Sequence, residues 1–254
     1  MRIAASQITR SAAELRECFN RDGSVFIENL ISKDYAGKLA NTVLDVERQL
    51  LESPDETEHI FEKDDRENIV AVRCMHNLIE QDAVFRTLAR DDTIVSLAEL
   101  ALGYEPLYYR AISTLKRRSV GSAFPWHQDF AYWGKGRPDM VGIWIALHDA
   151  TTENGCMDII PKSHRWGILP CEEDNPGKPV LTKEQEAQRI PAEIKAGDAL
   201  LFHALLVHRS SPNQSENERC AVIFEYTARE FNNGPHHFDR HCGWNPRTDE
   251  MVAL

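Results

Sequence analysis

From Gly103 onward the chain changes texture, and that change limits the folds open to it. Short apolar runs rich in β-branched and aromatic residues recur at 107–115, 141–147, 157–160, 189–194, 199–202 and 220–227. They are separated by glycine, proline and asparagine turn signals, of which Asn154-Gly155 is the strongest hairpin marker. The runs are too short for helices and read as strands. Many short strands with turns between them close into a sandwich or a barrel.

Residues 1–105 carry a mostly helical pattern instead. Ser11-Ala12-Ala13-Glu14 has the spacing of a capping box before a short helix, and residues 24–27 look like a brief strand. Ser32 is placed to cap a helix in which Leu39, Val43, Val46 and Leu50 recur at helical spacing. Residues 53–68 are charged and read as a surface loop. Two more helices are predicted over 82–89 and 93–102, the second closed by Gly103. The polar stretch 170–187 reads as an inserted loop. The expected organisation is one α+β domain over 1–254: a helical layer over 1–105, a β core over 106–230 and a C-terminal extension over 231–254.

The formal net charge of -11 argues against nucleic acid and anionic membrane as partners. No apolar run approaches the roughly 20 residues of a membrane helix, and the first ten residues lack the core of a signal peptide. Six cysteines without a C-x-x-C pair read as free thiols. The expectation is a soluble, cytoplasmic protein acting on a small molecule, with its oligomeric state open.

The stretch "PWHQDFAYW", 125–133, sets His127 and Asp129 two residues apart among aromatics. In extended chain they would point to one side and could hold one cation. A second histidine would complete the two-histidine, one-carboxylate face of a non-haem Fe(II) site with open positions. His208 is the best candidate, read as the end of the apolar run 199–207, and His203 is its competitor within that run. The alternative for such a pair is a histidine hydrogen-bonded near a sheet edge. His236, His237 and His241 lie in a glycine- and asparagine-bearing loop and read as surface residues. Open iron positions suit a chelating 2-oxo acid and dioxygen. The far carboxylate of such an acid needs a cation, and Arg219, eleven residues after His208, opens an apolar strand.

Four segments resemble the phytanoyl-CoA dioxygenase family of Fe(II)- and 2-oxoglutarate-dependent oxygenases: "FNRDGSVFIENLISKDY", "WHQDFAYW", "GIWIALHDATTENGCMDIIPKSHRWG" and "IKAGDALLFHALLVHRSSPNQSENER". The resemblance implies a double-stranded β-helix, a cupin-like jelly-roll barrel with flanking N-terminal helices. It implies iron held by His127, Asp129 and His208, and 2-oxoglutarate held by Arg219 and Ser210 with Trp144 packed beside it. Lys116 and Gln128 are expected to line the pocket. One departure is visible: the family's usual "PGSH" turn is "PKSH" here, with Lys162 in the glycine position. Halogenating relatives replace the carboxylate by a small residue, so Asp129 implies hydroxylation or a related oxidation. The substrate is expected to be a compact natural product or secondary metabolite, with an acyl-CoA or an amino-acid-like solute as alternatives. Loops 52–68, 130–138, 170–188 and 227–244 are where substrate contacts are expected, with Arg73, Tyr132, Trp133 and Phe231 as candidates. A redox-neutral metal-binding jelly roll and a purely ligand-binding one remain open; neither explains all four of His127, Asp129, His208 and Arg219.

Overall fold

A computed structural model describes residues 1–118, 120–132, 139–172, 175–228 and 242–252. Its strands are β1 Arg2–Ala4, β2 Ser24–Glu28, β3 Ile60–Lys63, β4 Ile69–Met75, β5 Leu107–Lys116, β6 Phe124–His127, β7 Met140–Ala146, β8 Met157–Ile159, β9 Cys171–Glu172, β10 Asn175–Pro179, β11 Ile190–Ala192, β12 Ala199–His203, β13 His208–Ser210 and β14 Arg219–Thr227. The α-helices are α1 Ala12–Asp22, α2 Lys33–Glu52, α3 Leu78–Gln81, α4 Ala83–Ala89, α5 Asp92–Leu102 and α6 Lys183–Glu186.

Two sheets carry the architecture. An eight-stranded mixed sheet runs β1-β2-β12-β7-β14-β5-β4-β3, and a four-stranded sheet runs β11-β8-β13-β6. The central strands of the large sheet are buried on both faces, so β7 is apolar at every position but Gly142. Alternation assigns the faces. Val141, Ile143 and Ile145 pack with Leu15, Leu39, Val43 and Leu97 of the helices. Trp144 and Ala146 turn the other way, onto Met157 and Ile159 of the small sheet. The helices therefore back the large sheet, and the small sheet covers its opposite face. Among the described residues no helix is long and apolar enough to cross a membrane.

Several boundaries differ from the sequence reading, each for a local reason. Ser32 caps α2 through Tyr35 N at 3.2 Å, as its spacing predicts. Ser11 makes no side-chain cap, so its capping box does not form. Thr182 and Gln185 form a complete capping box in the stretch read as an inserted loop, which also holds the β9–β10 hairpin. The charged segment 53–68 contains β3, which pairs with β4 at the edge of the large sheet. An edge strand tolerates charges on its outward face, and they mask its period. The N-terminal region thus contributes four strands as well as helices.

Candidate metal and co-substrate site

β6 ends at His127, and Asp129 begins a 3-10 turn over Asp129–Tyr132. A turn, and not strand alternation, brings Asp129 beside His127. The apolar run 199–207 is also not one strand. β12 ends at His203 in the large sheet, a turn closes with Leu206 N donating to His203 O, and β13 begins at His208 in the small sheet. That crossing separates the two candidate histidines. His203 accepts from Leu205 N through Nδ1 at 3.0 Å and lies against Phe19 and His164. His208 pairs with His127 across the β13–β6 register.

The three side chains converge. Asp129 Oδ1 lies 3.6 Å from His127 Nε2 and 3.7 Å from His208 Nε2. One donor atom from each falls within 4.8 Å of the others, the only such grouping among the described residues. Each imidazole is oriented from behind: His127 Nδ1 lies 2.8 Å from Pro125 O, and His208 Nδ1 lies 2.9 Å from Leu206 O. A carbonyl at Nδ1 selects the tautomer that leaves the Nε2 lone pair for a metal. Burial lowers both imidazoles to about 4, His127 further through His208, so both are neutral. Burial raises the Asp129 carboxyl, opposed by His127 and Arg110. Two neutral imidazoles and a carboxylate form the donor set of a non-haem iron centre.

The triad opens on a cavity of about 510 Å³ walled by both sheets. Arg219 and Trp144 come from the large sheet and Ser210 from β13. Arg219 is 2% exposed, its Nε has no hydrogen-bond partner, and its guanidinium carbon sits 5.7 Å from the centre of the Trp144 ring. Burial lowers it to about 10, and no acidic side chain among the described residues forms an ion pair with it. A buried cation left this way fits an exogenous carboxylate.

Other expected pocket residues lie elsewhere. Gln128 is buried away from the cavity, where Nε2 donates to Leu205 O and Gly167 O and Oε1 accepts from Leu169 N. Its amide is consumed in tying loops behind the metal site. Lys116 is the register partner of Arg219, but its ammonium bonds Ser122 O and lies 5.3 Å from the Phe124 ring, outside the cavity wall. Arg73 also stacks on Phe124, at 4.0 Å, and is not a wall residue. The Tyr132 side chain, Trp133 and Phe231 lie outside the described residues. Of the substrate loops, residues 56–60 do reach the cavity. Lys162 adopts φ 70, so lysine holds the left-handed turn that glycine would.

The pair Arg110 and Glu225 escaped the sequence reading. Both line the cavity, and they are register partners on β5 and β14. The available signal was a charge inside each of two apolar strands, Arg110 and Glu225, of opposite sign. Gly142 occupies the same row because a Cβ there would lie 2.4 Å from the Phe202 ring.

The phytanoyl-CoA dioxygenase family model matches residues 19–221. The L-proline trans-4-hydroxylase of Streptomyces griseoviridis is 30% identical over 236 residues, covering 82% of this chain and 83% of its own length. EctD from S. alaskensis, crystallised with 2-oxoglutarate and 5-hydroxyectoine, is similar with a TM-score of 0.69 at 25% identity, over 85% of this chain and 76% of that one. The epimerase SnoN, crystallised with Fe3+, alpha ketoglutarate and nogalamycin RO, has the same fold at 23% identity, with a TM-score of 0.69 over 87% of this chain and 85% of its own. With its matched residues spanning both sheets, the histidine–aspartate–histidine cluster and Arg219, the chain belongs to the phytanoyl-CoA dioxygenase family.

Proposed function

We propose that this chain is an Fe(II)- and 2-oxoglutarate-dependent dioxygenase that hydroxylates a C–H bond of a compact small molecule, a natural product or secondary metabolite. Its two sheets are read as the halves of one double-stranded β-helix domain. The observation that carries the reading is the pairing of two features on one cavity: three converging metal donors and a buried arginine without an acidic partner.

His127, Asp129 and His208 would hold the iron, and their neutral imidazoles need no deprotonation to do so. Arg219, with the Ser210 hydroxyl beside the same wall, would bind the distal carboxylate of 2-oxoglutarate and fix its reach to the metal. Trp144 screens that end from water. The bound metal and co-substrate supply the oxidising power, and the net reaction turns C–H, dioxygen and 2-oxoglutarate into C–OH, succinate and carbon dioxide. Asp129 keeps the position that a halide would need, which favours hydroxylation. A compact substrate also agrees with a relative named L-proline trans-4-hydroxylase.

Succinate release with Fe(II), 2-oxoglutarate and dioxygen tests the reading across small metabolites. Release in wild type that disappears in Asp129→Ala supports it. Iron-loaded, folded protein that never consumes 2-oxoglutarate sinks it.

A further inference from the structure

The large-sheet wall of the cavity is graded along its length. Along it the β5–β14 register pairs Arg110 with Glu225 and Ile112 with Ile223, Thr114 follows, and Arg219 lies at the far end of β14. At ~3.3 Å per residue Glu225 and Arg219 lie roughly 20 Å apart. One end is cationic. The other carries opposite charges side by side, and between them lies an apolar band completed by Trp144 and Phe202.

We propose that the Arg110–Glu225 end is a subsite for a zwitterionic, amino-acid-like substrate, with Glu225 taking its ammonium group and Arg110 its carboxylate. This rests on the oxygenase reading for its chemistry but not for its binding. The pair is bidentate: Arg110 Nη2 donates to Glu225 Oε1 at 3.1 Å, and Nε to Oε2. The side chains are 15% and 3% exposed. A buried ion pair is no better for stability than well-packed apolar residues of the same volume, so packing does not explain it. Its place does offer an explanation. Both groups face the cavity, and Arg110 is close enough to Asp129 for their charges to interact.

The surroundings select the charge type. Glu56 and Glu58 line the same cavity, Glu56 paired with Lys63 and Glu58 accepting from Asn77 Nδ2 at 2.5 Å, so carboxylates accompany Glu225 in the wall. An ammonium is favoured there, and the several phosphates of a coenzyme A thioester are repelled. The apolar band formed by Ile112, Ile223 and Phe202 would take the carbon skeleton. Phe202 stands edge-on to His208 at 5.3 Å, so carbon held there would lie beside the residues that would hold the metal.

The test is calorimetric binding to the anaerobic protein loaded with Fe(II) and 2-oxoglutarate. The probes are L-proline and the aliphatic L-amino acids, each with its methyl ester and N-acetyl derivative. The proposal expects at least one amino acid to bind and each single masking to weaken it about tenfold or more, as loss of one charged contact does. Glu225→Gln should weaken the free amino acid by a similar factor and leave the masked amine unchanged. If that variant does not fold, the wild-type comparison of masked and free ligands still decides. Equal binding of masked and free forms, or binding of a coenzyme A thioester and of no amino acid, overturns the proposal. Discrimination between masked and free forms without any 2-oxoglutarate turnover would leave the subsite standing and sink the oxygenase reading instead.

Discussion

Arg110 and Arg219 line one cavity on neighbouring strands, and both side chains are buried. Their electrostatic situations are opposite. Burial pulls Arg110 down, but Glu225 more than restores it and holds it above the ordinary guanidinium range. Arg219 has no carboxylate to restore it: burial lowers it to about 10, opposed by Cys220 and Cys156. The first charge is answered within the chain. The second has no acidic partner among the described residues and faces the cavity. An internally neutral end recognises balanced charges, whereas an uncompensated end demands a net anion. The same residue type can thus divide substrate from co-substrate.

Removing the metal should have the largest effect if, as proposed, the Arg219 end takes an acid that also chelates iron. His208→Ala should lose iron and all turnover, and 2-oxoglutarate affinity should collapse with it, as read by metal analysis and equilibrium binding. Retained co-substrate affinity would mean that the acid does not reach the metal.

Stability should separate the arginines next. Arg110→Met removes the bidentate guanidinium from the buried Glu225 carboxylate and should cost about 3–5 kcal/mol in denaturant unfolding. Arg219→Met in the apo protein removes a charge without a partner and should be neutral or stabilising by ~1 kcal/mol. Equal losses would erase the distinction.

Co-substrate affinity comes third. Arg219→Ala should raise the KM for 2-oxoglutarate ~100-fold, the effect of truncating a buried charge-assisted contact. Arg219→Lys should recover only part of this, since an ammonium cannot grip a carboxylate bidentately.

The smallest effect is a pH dependence. Burial, with help from Arg219 and Arg73, lowers Lys116 to about 7. It is charged below that pH and neutral above it. Attraction for the 2-oxoglutarate dianion is therefore greatest below about 7 and declines as pH rises through it. A several-fold rise in KM for 2-oxoglutarate toward pH 9 should flatten in Lys116→Met.

The histidine–aspartate–histidine cluster was legible in the sequence because its pattern is local: one carboxylate two residues from a histidine, then a distal histidine. The route to that geometry was not. Asp129 arrives by a 3-10 turn, and His208 parts from His203 because the chain changes sheets between them. Arg110 and Glu225 lie 115 residues apart, and only the β5–β14 register makes them a pair. Gln128 and Lys116 were identified as site residues by position in a motif, but nearby carbonyls claim their polar atoms. β3 stayed hidden because an edge strand carries charges that resemble a loop.

On the proposed function, Arg219 would bind the far carboxylate of an acid chelating a metal held by His127, Asp129 and His208. Anaerobic titration of the apo-protein with Fe(II) and then 2-oxoglutarate, followed by visible absorbance, tests it most directly. Wild type should develop a weak metal-to-ligand band, Arg219→Ala should need ~100-fold more 2-oxoglutarate to reach it, and His208→Ala should show none. Folded, iron-loaded wild type without the band would mean that the acid does not chelate a metal at this site.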